Sequence, residues 1–476
     1  MPHEREFFID GRWQQPAGHD VLDVINPATE EPCAQIAAGN AADIDRAVAA
    51  AKAAFPRFSA TTPAERAGLL QCVLEQFERR ADDLAHAMSI EMGVPIHAAR
   101  NVHFPSGPAH LKEYIKLLKS FQFDELRGTT LITKEPIGVC GLITPWNFPI
   151  NQVIVKVAPA LAAGCTMVLK PSEVSPLSAL IIADILDKAG TPPGVFNLVN
   201  GTGDVAGQAL TVHPDVDMIS FTGSTRAGVQ IARAAAGTVK RVAQELGGKS
   251  ANILLPDVDF DRAVTLGVNR CFNNSGQSCV SPTRMLVPID RLDEVLAIAR
   301  RAANSTKVGP PANKDSALGP VASRAQYEKI QRLIQAGLEE GATLVAGGLG
   351  RPDGLDRGFY VRPTIFSDVG PDMTIAREEI FGPVLSIMTY RDEDEAVRLA
   401  NRTPYGLAAY VQAGDLERGR HVARRLRAGV LQLNYPPIDR AAPFGGYRQS
   451  GNGREWGEFG LNEYLEIKGI VGYQAA

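Results

Sequence analysis

Cysteine, unbalanced charge and long apolar runs are all scarce in this sequence. Its 476 residues contain six cysteines, too few for a disulfide scaffold, and no two have the C-x-x-C spacing of a zinc site. The 49 basic and 53 acidic residues leave a net charge of −4, which argues against a nucleic-acid partner or an acidic membrane. Glycine and proline interrupt every apolar run before the roughly 20 residues that cross a membrane. Because the first residues are charged and lack the apolar core of a signal peptide, we expect a cytoplasmic protein with free thiols.

The length predicts several lobes. At about 150 residues per domain, 476 residues correspond to roughly three, and 45% hydrophobic with 21% charged residues is ordinary for a globular chain. The first third has mainly helical patterns. There, the segment from Thr62 to Glu65 is a capping box with proline at the first helical position, and Gly93 predicts a helix stop.

Strand and helix patterns alternate from about Pro136 onwards. In the first block, the predicted strands are Gly138–Thr144, Thr166–Lys170, Val195–Val199 and Val216–Phe221. In the second block, they are Ala251–Leu255, Met285–Pro288, Thr343–Ala346 and Leu385–Thr389. The predicted helices are Asn151–Ala163, Ser175–Gly190, Gly203–Leu210, Arg226–Ala235, Leu292–Asn304, Arg324–Glu339 and Glu393–Asn401. Such alternation with short connections predicts an α/β fold of two doubly wound lobes that meet near Gly247 and Gly248. The tail, Leu461–Tyr473, is predicted as a strand with no obvious partner nearby.

Doubly wound sheets bind ligands beyond the carboxyl ends of their strands, so polar residues there are candidates. Lys170 ends one strand and Glu173 follows it, a pair that suits a nucleotide ribose. The segment Gly201–Ala206 fits a loose phosphate-binding fingerprint, and Gly223-Ser224 precedes another helix. Each of these segments also fits an ordinary solvated loop or glycine turn.

Three further residues suit covalent chemistry. Cys279 lies in a small polar loop with a glycine, a setting for thiolate chemistry, although a free cysteine is more often a small core residue. Glu245 ends an apolar strand beside glycines, where a raised pKa suits a general base; a paired structural acid is the alternative. Asn147 also follows a strand, and its amide suits an oxyanion, although asparagine is common in turns.

Together these segments resemble the NAD(P)-dependent aldehyde dehydrogenase superfamily over nearly the whole chain. The matching motifs are, in order, Pro145-Trp146-Asn147-Phe148-Pro149, Lys170-Pro171-Ser172-Glu173, Phe221-Thr222-Gly223-Ser224, Glu245-Leu246-Gly247-Gly248-Lys249, Gly276-Gln277-Ser278-Cys279, Glu378-Glu379-Ile380-Phe381-Gly382-Pro383 and Pro443-Phe444-Gly445-Gly446-Tyr447-Arg448. Seven motifs in the same order identify the chain as a member.

The resemblance implies a catalytic set. Cys279 would attack the aldehyde, Asn147 and the Cys279 backbone N–H would hold the oxyanion, and Glu245 would activate the water that hydrolyses the thioester. Lys156 and Glu455 match positions that relay protons from Glu245.

The resemblance also implies NAD as cofactor, with NADP possible and no metal. A carboxylate at Glu173 favours NAD because it would repel a 2′-phosphate. The implied cofactor-binding residues are Ile143, Thr144, Trp146, Lys170, Ser172, Glu173, Gly203, Phe221, Gly223, Ser224, Leu246, Glu379 and Phe381.

The resemblance implies that the substrate is a small-molecule aldehyde, which would enter the active site through a tunnel. Its residues would be Phe148, Asn151, Gln152, Val155, Ser278, Val280 and Phe444, together with the loop from Tyr435 to Arg440. Many relatives have a large aromatic residue in place of Val155, so we expect a roomy tunnel and a broad or bulky apolar aldehyde. A carboxylated semialdehyde would instead need Arg440 as its anchor, and a quaternary-ammonium aldehyde would need an aromatic cage.

Family membership implies three regions and an oligomer. The cofactor-binding domain would comprise residues 1–116 and 135–247, the catalytic domain 248–447, and a small β oligomerisation arm 117–134 and 461–476. A homodimer or homotetramer is expected. Two alternatives remain: a CoA-acylating semialdehyde dehydrogenase, disfavoured by Glu245, and a catalytically silent nucleotide-binding protein, disfavoured by the catalytic set.

Overall fold

The computed structural model describes residues 3–474 and contains two large sheets, a three-stranded sheet and a two-stranded sheet. The outermost residues of the predicted domain ranges, 1–2 and 475–476, lie outside the described residues. The strands are β1 (Phe7–Ile9), β2 (Arg12–Gln14), β3 (Val21–Asn26), β4 (Glu31–Ala37), β5 (Asp124–Arg127), β6 (Thr130–Pro136), β7 (Val139–Ile143), β8 (Thr166–Lys170), β9 (Phe196–Leu198), β10 (Met218–Thr222), β11 (Arg241–Glu245), β12 (Ala251–Leu254), β13 (Arg284–Pro288), β14 (Thr343–Ala346), β15 (Thr364–Ser367), β16 (Val384–Tyr390), β17 (Ala408–Gln412), β18 (Val430–Leu433), β19 (Gly451–Asn452) and β20 (Leu465–Ile470). The helices are α1 (Ala41–Phe58), α2 (Pro63–Arg79), α3 (Ala81–Glu91), α4 (Ile96–Ala98), α5 (Ser106–Leu117), α6 (Pro149–Ala163), α7 (Leu177–Lys188), α8 (Gln208–Val212), α9 (Thr225–Ala235), α10 (Phe260–Phe272), α11 (Leu292–Ser305), α12 (Arg324–Glu339), α13 (Thr374–Arg377), α14 (Glu393–Asn401), α15 (Leu416–Arg424) and α16 (Gly457–Glu463).

The first large sheet has the strand order β19-β11-β10-β7-β8-β9-β1-β2, and its central strands from β11 to β9 are parallel. Alternate residues of a strand face opposite sides of a sheet. In β8, Met167 and Leu169 pack into one apolar cluster with residues of α2, α3 and α5–α7, whereas Val168 packs into another with residues of α1 and α8. Helices therefore cover both faces, as a doubly wound sheet requires.

The second large sheet is built in the same way, with the order β14-β15-β16-β13-β12-β17-β18 and only β14 antiparallel. Met285 and Val287 of β13 face one apolar cluster, and Leu286 between them faces the other. The chain passes from the first sheet to the second between Glu245 and Ala251, and Gly247 and Gly248 lie in this connection.

Most predicted elements of the two blocks are confirmed. Strands Thr166–Lys170 and Thr343–Ala346 and helices Arg324–Glu339 and Glu393–Asn401 match to the residue. The capping box is present too: the Thr62 hydroxyl accepts from the Glu65 N–H, and Pro63 begins α2. The segment predicted as one helix from Gly203 is instead a π-helical turn, Gly203–Gly207, followed by α8.

Two predictions are wrong. The first third is not only helical, because it begins with strands β1 to β4. The tail is not a strand throughout, since α16 extends to Glu463, and its strand β20 does have a partner within the chain. β20 pairs antiparallel with β6, which itself pairs with β5, so the partner lies more than 300 residues away in sequence.

Candidate active site

The carboxyl ends of four parallel strands meet at one edge of the first sheet. The register pairs Ile143 of β7 with Lys170 of β8 and with Phe221 of β10, and pairs Thr222 of β10 with Glu245 of β11. Since ligands bind at this edge of doubly wound sheets, the register places the predicted cofactor and catalytic segments together.

The loop that carries Cys279 comes from the other lobe and is tightly constrained. Asn274, Ser275 and Gly276 all have left-handed backbone angles, with φ of 55°, 54° and 74°. A Cβ at Gly276 would collide with the backbone of Gly382, so only glycine fits there. The loop therefore presents Cys279 from a fixed backbone.

Asn274 ties this loop to the first lobe. Its side-chain Nδ2 donates to the carbonyl oxygen of Asn147 (2.8 Å) and to that of Gln277 (3.1 Å). The Asn147 amide also donates to the Gln277 carbonyl oxygen, at 3.2 Å. One N–H of the Asn147 amide remains for another acceptor, because an amide nitrogen carries two. The sequence analysis did not single out Asn274; the tolerance of asparagine for left-handed angles is the one signal available there.

Cys279 is a half-buried free thiol facing a cleft between the two lobes. Burial raises the pKa of the Cys279 thiol well above its usual range, and the nearby carboxyl groups of Glu245, Glu379 and Glu455 raise it further. The thiol is thus held protonated, and a base must accept its proton before the sulfur can attack.

Glu245 is buried, and its Oε1 has no hydrogen-bond partner among the described residues. Burial raises the pKa of Glu245 well above its usual value, and Glu455 adds to the rise, while Lys156 and Arg454 oppose it. Lys156, itself buried, donates to Glu455 Oε1 at 2.7 Å and to the Ser220 hydroxyl at 3.0 Å. Glu245, Lys156 and Glu455, for which the resemblance implies a proton relay, therefore lie close together, with Glu455 partly exposed.

Ser450 holds the strand end of Glu245 in place. Its backbone carbonyl accepts from the Leu246 N–H at 3.0 Å, and its hydroxyl donates to the Gly247 carbonyl oxygen at 2.6 Å. The same hydroxyl accepts from the Gly406 N–H at 3.0 Å. This buried serine gave no signal in the sequence analysis beyond its place two residues after a matched motif.

The cleft beside Cys279 contains six of the implied cofactor-binding residues, namely Trp146, Gly223, Ser224, Leu246, Glu379 and Phe381. Its lining comprises Pro145, Trp146, Asn147, Gln152, Thr222, Gly223, Ser224, Leu246, Gly247, Cys279, Gln326, Lys329, Glu379 and Phe381. The rings of Trp146 and Phe381 meet edge-to-face at 5.5 Å. The Glu379 carboxylate accepts from the Gly248 N–H at 2.9 Å. Gln326 and Lys329, both on α12, were not predicted.

The predicted adenosine residues lie at the ends of β8 and β9. Lys170 donates to Glu173 Oε2 at 2.9 Å, and the Glu173 side chain is exposed. Ser172 is buried and accepts from the Val174 N–H at 3.2 Å. At Gly203 an added Cβ would meet open space. Thr144 and Ile143 are buried in the adjoining strand end.

This edge fits a dinucleotide. The buried hydroxyl of Thr222 and both polar atoms of the buried Asn200 side chain have no partner within residues 3–474, so they remain available to a ligand. Ser224 caps α9 by accepting from the Ala227 N–H, which leaves a helix N-terminus at the cleft for a phosphate group.

The predicted tunnel residues are not all in one place. Gln152 lines the cleft with Cys279, but Val155 is buried in a separate small cavity with Glu245 and Glu455. Val155 therefore adds room next to the buried acids rather than along the cleft.

The remaining tunnel residues lie against aromatic rings. Phe148 stacks on His103 with ring centres 4.7 Å apart, and Phe444 stacks on Trp456 at 4.4 Å. Asn151 hydrogen-bonds His110 Nε2 at 3.2 Å. Ser278 and Val280 flank Cys279 and are half-buried; the Val280 carbonyl oxygen accepts from the Tyr410 hydroxyl at 2.7 Å.

Arg440 packs against this aromatic group. Its guanidinium lies over the Trp456 ring, 4.8 Å from the ring centre, and burial lowers the pKa of Arg440. Tyr435, at the other end of the predicted loop, lies beside Tyr410 and under the Arg270 guanidinium. The two ends of the loop thus contact different aromatic groups.

No helix within 3–474 is long and apolar enough to cross a membrane. In the same range, no group of three or more histidine, cysteine, aspartate or glutamate side chains is placed to hold a metal ion.

The family model described as "Aldehyde dehydrogenase family" matches residues 13–470. A curated relative, 3-succinoylsemialdehyde-pyridine dehydrogenase from a Pseudomonas species, is 54% identical over the full length of both chains.

Solved structures are equally similar. Aldehyde dehydrogenase C from Pseudomonas syringae, a cysteine-to-alanine variant with NAD+ and octanal, is 55% identical with a TM-score of 0.99, and the match covers 100% of this chain and 98% of that one. A Mycobacterium tuberculosis aldehyde dehydrogenase with NAD+ is 40% identical with a TM-score of 0.96, covering 98% and 97%.

Proposed function

The chain belongs to the aldehyde dehydrogenase family, and we propose that Cys279, Asn147 and Glu245 carry its NAD-dependent oxidation of an aldehyde to the carboxylic acid. One observation carries these roles. The Cys279 loop and the Asn147 amide are joined at the Gln277 carbonyl oxygen, and Cys279, Asn147 and Leu246, the residue after Glu245, all line the same cleft.

In the first half of the reaction, the Cys279 thiol gives its proton to water in the open cleft, and the sulfur attacks the carbonyl carbon of the aldehyde. The new C–S bond leaves negative charge on the former carbonyl oxygen. The free N–H of the Asn147 amide and the backbone N–H of Cys279 hold that oxyanion, and losing one such donor costs about 10²–10³ in rate.

In the second half, the oxyanion collapses and hydride leaves the carbon, which becomes a thioester of Cys279. NAD, when bound, supplies the nicotinamide that accepts the hydride. Glu245 then takes a proton from water, the water oxygen attacks the thioester, and the C–S bond breaks to give the acid and the free thiol.

Glu245 has the environment of a general base at neutral pH. Its unpartnered oxygen is ready to accept a proton, and its raised pKa brings its basicity closer to neutrality. Lys156 and Glu455 lie beside it as an ion pair and offer a path for the proton to leave.

We infer a bulky apolar aldehyde as substrate. The support is the aromatic surface of Phe148 and Phe444. The octanal bound to the 55% identical relative, and the pyridine-containing semialdehyde in the name of the other, agree with this class. CoA-acylating and catalytically silent alternatives are disfavoured by the buried Glu245, whose Oε1 has no hydrogen-bond partner among residues 3–474.

The domain ranges and the arm predicted from the sequence belong to this proposal. β20 pairs with β6 along one of its two edges. Near the other edge of β20, Ile467 is 72% exposed and Val471 is 83% exposed. A second copy covering that edge, in a homodimer or homotetramer, would bury these residues.

The free thiol of Cys279 favours a reducing compartment, such as the cytoplasm.

The test is nicotinamide reduction across short aliphatic, long aliphatic, aromatic and carboxylated aldehydes, with NAD and NADP in parallel. A maximum with NAD on long aliphatic or aromatic aldehydes is expected. A maximum on a carboxylated aldehyde would overturn the substrate class and point to Arg440, and silence throughout would favour the non-catalytic alternative.

A further inference from the structure

The backbone at Cys279 is held on both sides of the nucleophile. Two residues before it, the Gln277 carbonyl oxygen accepts hydrogen bonds from two asparagine side-chain amides. One residue after it, the Val280 carbonyl oxygen accepts from the Tyr410 hydroxyl at 2.7 Å. Since only Ser278 and Cys279 separate these two fixed points, the hydrogen bond at Val280 contributes to where the sulfur lies.

Tyr410 supplies this hydrogen bond from a rigid part of the second sheet. It lies in β17, a strand that pairs with β12 on one side and with β18 on the other. Its side chain is buried, and burial raises the pKa of Tyr410, although the charge of Arg270 opposes the rise. The hydroxyl therefore keeps its proton and can donate at neutral pH. A donor on a paired strand is held more precisely than a donor on a loop.

Tyr435 connects this donor to the loop 435–440. The Tyr435 ring lies beside the Tyr410 ring, with ring centres 5.6 Å apart. The Arg270 guanidinium lies over the Tyr435 ring, 4.4 Å from its centre. Arg270 belongs to α10, the helix that leads into the Cys279 loop. One aromatic ring therefore contacts both the helix before the nucleophile and the residue that holds the backbone after it.

The backbone at the start of this loop is strained. Asn434 and Tyr435 both have left-handed angles, with φ of 54° and 51°. The Asn434 amide is tied to the residue after β17, because its Nδ2 donates to the Ala413 carbonyl oxygen at 3.0 Å and its Oδ1 accepts from the Ala413 N–H at 2.9 Å. A bulky residue with a positive φ persists only where surrounding contacts hold it. Tertiary contacts therefore fix the position of the Tyr435 ring.

The other end of the loop lies among residues predicted for the substrate tunnel. The Arg440 guanidinium lies over the Trp456 ring, and this ring stacks on Phe444. The loop 435–440 therefore joins the aromatic surface proposed for a bulky aldehyde to the Tyr435 ring.

We propose that Tyr410 is a positioning residue for Cys279, and that Tyr435 makes its hold depend on the loop 435–440. The inference rests on the role proposed above for Cys279. The attacking sulfur must lie about 3–3.5 Å from the carbonyl carbon and in line with it. The Cys279 backbone N–H, a proposed oxyanion donor, belongs to the same short segment. The Tyr410 hydroxyl keeps this segment from turning away by holding the Val280 carbonyl oxygen.

Tyr410→Phe tests the hydrogen bond and keeps the ring. The single-turnover rate of NADH formation, at saturating aldehyde and NAD, should fall about tenfold, because a displacement of about 1 Å between reacting groups costs about 10²-fold. The KM of the aldehyde and the dissociation constant of NAD should stay within about twofold, since Tyr410 does not line the cleft. An undiminished single-turnover rate would overturn the positioning role.

Tyr390→Phe is the matched control. Tyr390 is buried in β16 of the same sheet, and its hydroxyl also donates to a backbone carbonyl oxygen, that of Leu254, at 2.6 Å. Both variants lose one buried hydrogen bond, so both should lower the midpoint of thermal unfolding by a similar amount. Only Tyr410→Phe should slow the single turnover. Equal losses of rate in the two variants would show that Tyr410 acts through stability alone and would overturn the proposal.

Tyr435→Asn tests the link to the loop, because asparagine tolerates the left-handed angle and removes the ring. The single-turnover rate should fall about threefold or more. Combined with Tyr410→Phe, the loss should be smaller than the product of the two separate losses, since both act on the same hold. An unaltered rate in Tyr435→Asn, or a full product in the double variant, would overturn this link.

The unaltered protein separates this inference from the function on which it rests. If it oxidises aldehydes and Tyr410→Phe does so at the same single-turnover rate, the positioning role alone is overturned. If it oxidises none of them, the proposed function fails and this inference fails with it.

Discussion

Asn274 is the residue on which the geometry of the Cys279 loop depends most directly, and Asn274→Gly tests that dependence. The substitution removes the amide that bridges the carbonyl oxygens of Asn147 and Gln277, at 2.8 and 3.1 Å. It keeps the left-handed backbone, since glycine adopts a φ of 55° without strain. Asn274→Ala removes the same bridge and adds strain, so the pair separates the two effects.

The expected loss of stability follows from the bonds removed. Two buried hydrogen bonds at about 0.5–1.5 kcal/mol each amount to about 1–3 kcal/mol. The unfolding entropy of a chain of 476 residues is about 1 kcal/mol per degree, so the midpoint should fall by about 1–3 °C. Asn274→Ala should lose about 1–2 °C more, because a left-handed residue with a Cβ costs about 1–2 kcal/mol.

The loss of activity should be larger than the loss of stability. A displacement of about 1 Å between reacting groups costs about 10²-fold in rate, so we expect kcat to fall 10- to 100-fold in both variants. The dissociation constant of NAD should stay within about twofold, since Asn274 does not line the cleft. Steady-state kinetics with saturating aldehyde and NAD titration measure the two. Asn273→Ala, at the exposed neighbour, is the control and should behave as the unaltered protein. Undiminished kcat in Asn274→Gly would refute the positioning role.

Other expected outcomes address the reaction itself. Cys279→Ala should abolish aldehyde oxidation while NAD still binds, whereas Cys72→Ala, at an exposed thiol, should leave turnover unchanged; residual turnover in the first would remove the nucleophile assignment. Glu245→Gln should slow hydrolysis so that an acyl adduct appears by intact mass, and unaltered steady-state turnover would exclude Glu245 as the base. Because the pKa of Glu245 is raised and only its ionised form accepts a proton, thioester hydrolysis should decline as pH falls through a value above the ordinary 4.5; a pH-independent single-turnover hydrolysis rate would contradict this. Glu173→Ala should raise the NADP:NAD ratio of kcat/KM by about tenfold, since it removes a negative charge that opposes the 2′-phosphate; an unchanged ratio would contradict that reading.

The alternation of strand and helix could be predicted from the sequence because it depends on local patterns of apolar and polar residues. Thr166–Lys170 is buried throughout and reads as a continuous apolar run, and the capping box at Thr62 needs only four residues. Strands β1 and β2 were missed because three residues are too few to show a period, and β3 and β4 were missed because their buried and exposed residues do not alternate. The order of the seven motifs along the chain then identified the family, and the match to the family model agrees with this identification.

The sequence by itself determined the fold class, the family and the identity of the chemically capable residues, since each of these rests on residue types and their local order. Tertiary structure decided which of them meet. Sheet register joins Thr222 to Glu245, the Asn274 side chain joins the Cys279 loop to Asn147, and β20 finds β6 across more than 300 residues. Such contacts depend on distances through space that no local pattern encodes, and so does the burial that raises the pKa of Glu245.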